Sequence, residues 1–227
     1  MAATKVGTIC VIGGTGNLGA ALAKRWAVAG HNVLIGSREA SKAEEKATQL
    51  NAAHGTNIQG HDNVSVAEHA DLIVLAVPFS SQASILNEIK AAVQGKIVVD
   101  TTVPLKPPKV MRVQLPEEGS AAVIAQQLLG DDVRVVSSFH NVAAHKLATD
   151  AEIQCDALVF GDDKDARQLV VNLANDAGLR GLHAGVLGNS AAAEAMTSIL
   201  IFMNRHYAVD GAGIQITGTL DISCHDA

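Results

Sequence analysis

Apolar positions along the chain fall into two alternating patterns. Short Val- and Ile-rich runs at 7–12, 32–35, 71–77 and 96–99 read as strands. Between them lie segments whose apolar residues recur with helical spacing. The first helical segment carries Leu18, Leu22 and Trp26 on one stripe and closes at Gly30. The second, 40–54, is charged, lies on the surface and ends at Gly55. The run 71–77 is apolar throughout, as a central parallel strand covered on both faces should be, and Pro78 stops it. Ile85, Leu86, Ile89 and Val93 then make 81–93 helical.

The pattern continues beyond a loop holding Pro104, Pro107 and Pro108. A helix is expected at 121–129 and strands at 133–137, 157–160 and 179–182. Between the last two strands, 164–177 is helical, with Leu169, Val170 and Leu173 facing inward. Strand–helix–strand alternation of this kind predicts a parallel sheet with right-handed crossovers. The segment 187–207 is apolar nearly all round, so it is expected to pack on the cleft or, preferably, on a second subunit. Its most apolar part, 191–203, is too short to span a bilayer and contains Glu194.

Composition narrows the picture. Aromatic residues make up only 3% of the chain, so the core must be built from Ala, Val, Leu and Ile. A net charge of −6 with no Lys/Arg cluster argues against nucleic acid as a partner. Cys10, Cys155 and Cys224 are too few and scattered for a disulfide framework or zinc site, which suits free thiols in a reducing compartment. His61, His69 and His145 share no ligand spacing with a Cys or carboxylate cluster, so no metal site is expected. Residues 1–5 lead straight into the first strand without an apolar leader, and the expected location is the cytoplasm.

Chemistry enters at Gly14-Thr15-Gly16-Asn17-Leu18-Gly19, a G-x-G-x-x-G loop after the first strand and at the start of the first helix. In that context the first glycine permits a tight turn, the second admits a pyrophosphate to the backbone amides, and the third lets helix and sheet approach. The helix N-terminus adds its positive dipole end. An NAD site usually places Asp or Glu at the end of the second strand, to accept from the ribose 2′-hydroxyl. Here Gly36-Ser37-Arg38 stands there, with Lys42 a helical turn on, and a hydroxyl with two cations suits the 2′-phosphate of NADP(H).

The expected architecture is therefore a Rossmann-type, doubly wound, mostly parallel α/β sheet with a small C-terminal helical or α+β cap. Residues 1–140 are read as the NADP-binding domain and 141–227 as the cap and dimerisation segment of a homodimer. With the pyrophosphate held outside the carboxyl ends of the strands, the nicotinamide should extend over the segments following Val77, Val99 and Ser138. Phe79, Val103 and His140 would then wall the slot for a second ring, with Val77 and Pro78 beside the cofactor.

The chain closely resembles the coenzyme F420-dependent NADP reductases. The similarity rests on residues 12–19, Gly36-Ser37-Arg38, Val77-Pro78-Phe79, Lys96-Ile97-Val98-Val99 and Val103-Pro104. It continues through Ser120-Ala121-Ala122, His140, Gly161-Asp162-Asp163, Asn189-Ser190 and Gly213-Ile214. The resemblance implies hydride exchange between NADP(H) and an 8-hydroxy-5-deazaflavin, coenzyme F420. It also implies that Thr15, Gly16, Asn17 and Leu18 hold the pyrophosphate, beside the cofactor-binding Gly14 of the glycine motif, and that Ser37, Arg38 and Lys42 hold the 2′-phosphate. By the same matching, Phe79 and Ala83 line the cofactor cleft and Ala144 lies near the nicotinamide end.

Other conspicuous residues have plainer readings. Asp162-Asp163 directly precedes a helix and reads as an N-cap, and Asn189-Ser190 as another helix start. Hydride transfer between two bound cofactors needs no general base, so His140 is a candidate cofactor contact and no catalytic side chain is assigned. Two competing readings are an NADPH-dependent flavin or ferric reductase and a non-catalytic NADPH sensor.

Overall fold

The first strand, β1 (Thr8–Ile12), splits its side chains between two cores, as the period of two demands. Ile9 and Val11 face one layer of buried side chains, Cys10 and Ile12 the other. The computed structural model describes residues 6–221, so the expectations drawn from residues 1–5 and for Cys224 lie outside the described residues.

Around β1 the chain alternates through α1 (Asn17–Val28), β2 (Asn32–Ser37), α2 (Ala40–His54), β3 (Gln59–Asp62), α3 (Asn63–His69) and β4 (Leu72–Leu75). Next come α4 (Phe79–Ile89), β5 (Ile97–Asp100), α5 (Ala121–Leu129), β6 (Arg134–Ser137), α6 (Ala144–Leu147) and β7 (Asp156–Gly161). Last are α7 (Lys164–Asp176), β8 (Arg180–His183), a single 3-10 turn (Leu187–Asn189) and α8 (Ser190–His206). The sheet has eight strands in the order β3-β2-β1-β4-β5-β6-β7-β8. Side chains of α1, α2 and α7 fill one core, and those of α3, α4 and α5 fill the other.

Strand order reverses between β1 and β4, and such a reversal opens a crevice at the carboxyl ends. One pair departs from the expected parallel arrangement: β6 and β7 are antiparallel, joined only at Val136–Gly161 and Ser137–Phe160. The earlier residues of β7 thus project beyond the carboxyl ends of the parallel strands, and β8 runs parallel beside them. The link between β6 and β7 holds only the short helix α6, so the chain never crosses to the far end of the sheet.

The elements β3, α3 and α6 carried no clear sequence signal. The β3 segment Gln-Gly-His-Asp has no apolar alternation because it is a sheet edge. Its Gly60 lies where an added Cβ would meet the Ala43 carbonyl oxygen at 2.3 Å, so close packing under α2, not hydrophobicity, specifies the strand. By contrast, α2 ends at Gly55 in the left-handed conformation that stops a helix. Asp163 caps α7 by accepting from the Ala166 amide at 2.7 Å.

Three consecutive residues of α1 tie the two halves of the chain together. Trp26 is fully buried, donates to the Leu173 carbonyl at 2.8 Å and meets Phe139 edge-on with ring centroids 5.9 Å apart. Arg25 donates to the carbonyls of Leu147, Thr149, Ala151 and Ala177. Lys24 reaches the Ala148 carbonyl at 2.9 Å and the Asp150 carboxylate. Trp26→Ala should destabilise the fold by about 3–5 kcal/mol, through the cavity it opens and the hydrogen bond it removes. Urea unfolding followed by circular dichroism would measure this, since the substitution removes the only tryptophan.

Candidate functional site

The glycine loop is shaped by contacts that exclude side chains. Gly13, not Gly14, adopts the positive φ, +80°, that makes the turn, and its amide donates to the Gly36 carbonyl at 3.1 Å. A Cβ on Gly14 would lie 2.6 Å from Cβ of Ile35, so this glycine serves packing where the sequence suggested the turn. At Gly19 a Cβ would lie 2.4 Å from the Gly13 carbonyl oxygen, which leaves α1 pressed against the loop. Gly16 differs: it is exposed, and an added Cβ would meet only the Gly13 carbonyl oxygen at 3.3 Å. It stands as the N-cap of α1 with no side-chain cap and no acidic residue in the first turn. Backbone donors at this helix start are thus presented outward to an anion.

A groove of about 180 Å³ runs from the loop to the ends of β2 and β4. It brings together Thr15, Gly16, Ser37, Arg38, Val77 and Pro78, and adds Asn63, which sequence reasoning had not singled out. Arg38 is exposed; Ser37 accepts from the Glu39 amide at 3.3 Å. Lys42 lies on the first turn of α2, with its ammonium 2.7 Å from the Glu39 carboxylate. A second groove of about 400 Å³ adjoins the other side of the loop, where Asn17 faces Lys24 and Ala144, the first residue of α6. Leu18 follows Asn17 on α1 and packs against the core. Phe79, half-buried, opens α4; Ala83 is exposed one turn later, and Val103 is half-buried beyond β5.

His140 is buried beside Phe160, with ring centroids 6.5 Å apart, and its Nε2 lies 2.9 Å from Oγ of Ser137. Burial pushes its pKa down to about 3, so the ring is neutral at ordinary pH. Among the described residues no group of three or more His, Cys, Asp or Glu side chains comes together as a metal centre.

Beneath the cleft lies a buried acidic cluster that neither charge nor spacing announced. Asp100, at the end of β5, accepts from Gln82 Nε2 at 2.5 Å and from the Thr102 amide at 2.8 Å. Gln82 also donates to the Ala121 carbonyl at 2.9 Å. Glu194, from α8, accepts from the Ala121 and Ala122 amides at 2.7 and 3.2 Å, and so caps the start of α5. Burial raises the pKa of both carboxyls, that of Glu194 to about 7, with the Asp100 charge adding to the effect. Sequence pattern marked Glu194 only as a helical residue, because its partners lie more than seventy positions away.

A carboxyl whose folded pKa exceeds its unfolded value stabilises fully below the unfolded value and loses that contribution as pH rises through the folded one. Glu194, raised from 4.5 to about 7, should therefore withdraw about 3 kcal/mol between pH 4.5 and 8. Glu194→Gln should flatten this slope. Urea unfolding of both proteins at pH 5 and pH 8 checks it, and equal slopes would refute it.

Comparison with known proteins agrees with the geometry. Residues 8–104 match the family described as NADP oxidoreductase, coenzyme F420-dependent. The F420-dependent NADP reductase of Methanocaldococcus jannaschii is 37% identical over 220 residues, covering 92% of this chain and 97% of that protein. The same-named protein of Methanothermobacter thermautotrophicus is 38% identical, covering 92% and 94%. A solved structure from Arthrobacter sp. superposes with a TM-score of 0.78 at 22% identity, covering 92% of this chain and 99% of that one, which speaks for the fold. Carrying the glycine loop, the cationic end of β2 and this likeness over nearly its whole length, the chain belongs to the F420-dependent NADP reductase family.

Proposed function

We propose that this protein catalyses hydride exchange between NADP(H) and the deazaflavin coenzyme F420. The observation that carries the reading is identity of 37–38% over 92% of the chain to reductases named for that pair. When bound, the nicotinamide supplies or accepts the hydride, while one proton is exchanged with solvent. The chain's own residues bind and orient. Gly16 and the first-turn amides of Asn17 and Leu18 receive the pyrophosphate, with Thr15 alongside and Gly14 packed beneath the loop. Ser37 and Arg38 take the 2′-phosphate, joined by Lys42 as it exchanges Glu39 for the ligand. Val77, Pro78, Phe79, Ala83, Val103, His140 and Ala144 shape the ring slots. A neutral His140 contributes a wall and no proton at ordinary pH.

We read residues 1–140 as the cofactor-binding domain and the remainder as a cap that pairs two copies. Support for the pairing comes from α8 and the residue that follows it, where several polar side chains are buried and several large apolar ones exposed. Ser190, Glu194 and Ser198 are buried, while Ile199 is 42% exposed, Phe202 48% and Tyr207 66%. An apolar groove of about 590 Å³, formed by Leu158, Phe160, Ala192, Met196 and Ile214, adjoins this face. Exposed apolar residues gathered on one face favour the docking of a second copy. A cytoplasmic enzyme with only small-molecule partners is consistent with the free, buried thiols of Cys10 and Cys155. Among the described residues no helix is long and apolar enough to cross a membrane.

Two measurements test these readings. With NADPH deuterated at C4, the protein should reduce coenzyme F420 and deliver the label to it from one face only, unaffected by chelators. Reduction confined to ferric chelate or flavin mononucleotide, or loss of the label to water, would refute the acceptor. Light scattering at dilute concentration should give twice the chain mass; a stable monomer would refute the pairing.

A further inference from the structure

Asn63 is the first residue of α3, directly after the cap residue Asp62. The register of β2 with β3 pairs Ser37 with Asp62, so Asn63 stands beside the end of β2. It lines the same groove as Thr15, Ser37 and Arg38, yet its side chain is 1% exposed. Gly36 makes room for it: a Cβ there would lie 3.1 Å from Asn63 Oδ1 and 2.8 Å from Val66 Cγ2. Among the described residues nothing donates to Oδ1, although the neighbouring Asp62 carboxylate takes both the amide and the hydroxyl of Ser65. A buried amide oxygen without a donor is destabilising, and natural structures keep one mainly where another molecule completes it.

Resting on the reading of this groove as the NADP(H) site, we propose that Asn63 is a further binding residue, accepting a hydrogen bond from the adenosine ribose. The donor follows from the neighbours. Ser37 and Arg38 take the 2′-phosphate, so the ribose hydroxyl left to donate is the 3′-hydroxyl. NAD carries the same group, which separates the two functions. Arg38 selects the phosphorylated cofactor, whereas Asn63 holds the ribose of either nucleotide. The placement also fits a site on an acidic protein, since an amide grips a sugar without adding negative charge near the phosphate.

Calorimetric titration of the whole protein tests this without turnover. Loss of one buried hydrogen bond corresponds to about tenfold in affinity. Asn63→Ala should bind both NADP and NAD about tenfold more weakly, whereas Arg38→Ala should weaken NADP alone by about tenfold or more. Wild type should bind 3′-deoxy-NADP about tenfold more weakly than NADP, and Asn63→Ala should bind the two alike. A variant merely damaged in fold would keep that difference, and such a result overturns the inference. Equal binding of NADP and its 3′-deoxy form by wild type overturns it too, with no variant needed. If the hypoxanthine analogue of NADP, which lacks the adenine amino group, shows the loss that Asn63→Ala abolishes, Asn63 reads the base and the ribose assignment falls. Equal affinity of wild type for NADP and NAD, unchanged in Arg38→Ala, would instead remove the underlying reading of the groove.

Discussion

Helix α1 lies against the sheet as closely as backbone allows, and much of the molecule is arranged around that approach. Cβ atoms on Gly13, Gly14 or Gly19 would collide with the Ala76 carbonyl, Ile35 or the loop itself. Pressed inward at its start, the helix must also satisfy Lys24, Arg25 and Trp26 toward its end. Their donors end on carbonyls at Leu147, Ala148, Thr149, Ala151, Leu173 and Ala177. Buried donors of this kind are costly when unpaired, so the later half of the chain is drawn onto the first helix. The helix that offers its N-terminus to the cofactor is thereby held rigidly, and rigid placement is what a hydride-transfer site requires.

Charge at the site is local. On the proposed reading, a protein of net charge −6 would attract an anionic dinucleotide through an uncapped helix start and the cations at the end of β2. At the end of β5, Asp100 and Glu194 form a buried acidic pair held by amide donors from Gln82, Thr102, Ala121 and Ala122. That pair fastens β5, α4, α5 and α8 to one another at the base of the cleft. The arrangement makes α8 part of the site's foundation, although its outward face remains apolar.

Residue pattern alone determined the alternation of strands and helices, because burial on one or both faces imposes a periodicity that any local window reveals. The bounds of α2 and α5, the stop at Gly55, the cap at Asp163 and the glycine loop were all legible, each being decided by a residue's own conformational preference or its near neighbours. Only the tertiary structure decided the rest. The edge strand β3 is specified by a close contact between Gly60 and α2, and the reversal at β7 by a link that stays at the carboxyl ends of the parallel strands. The roles of Asn63 and Glu194 depend on partners from distant segments, or on the want of one. Periodicity records how far a side chain must be from water, whereas a hydrogen bond between residues seventy positions apart depends on where folding has brought both ends.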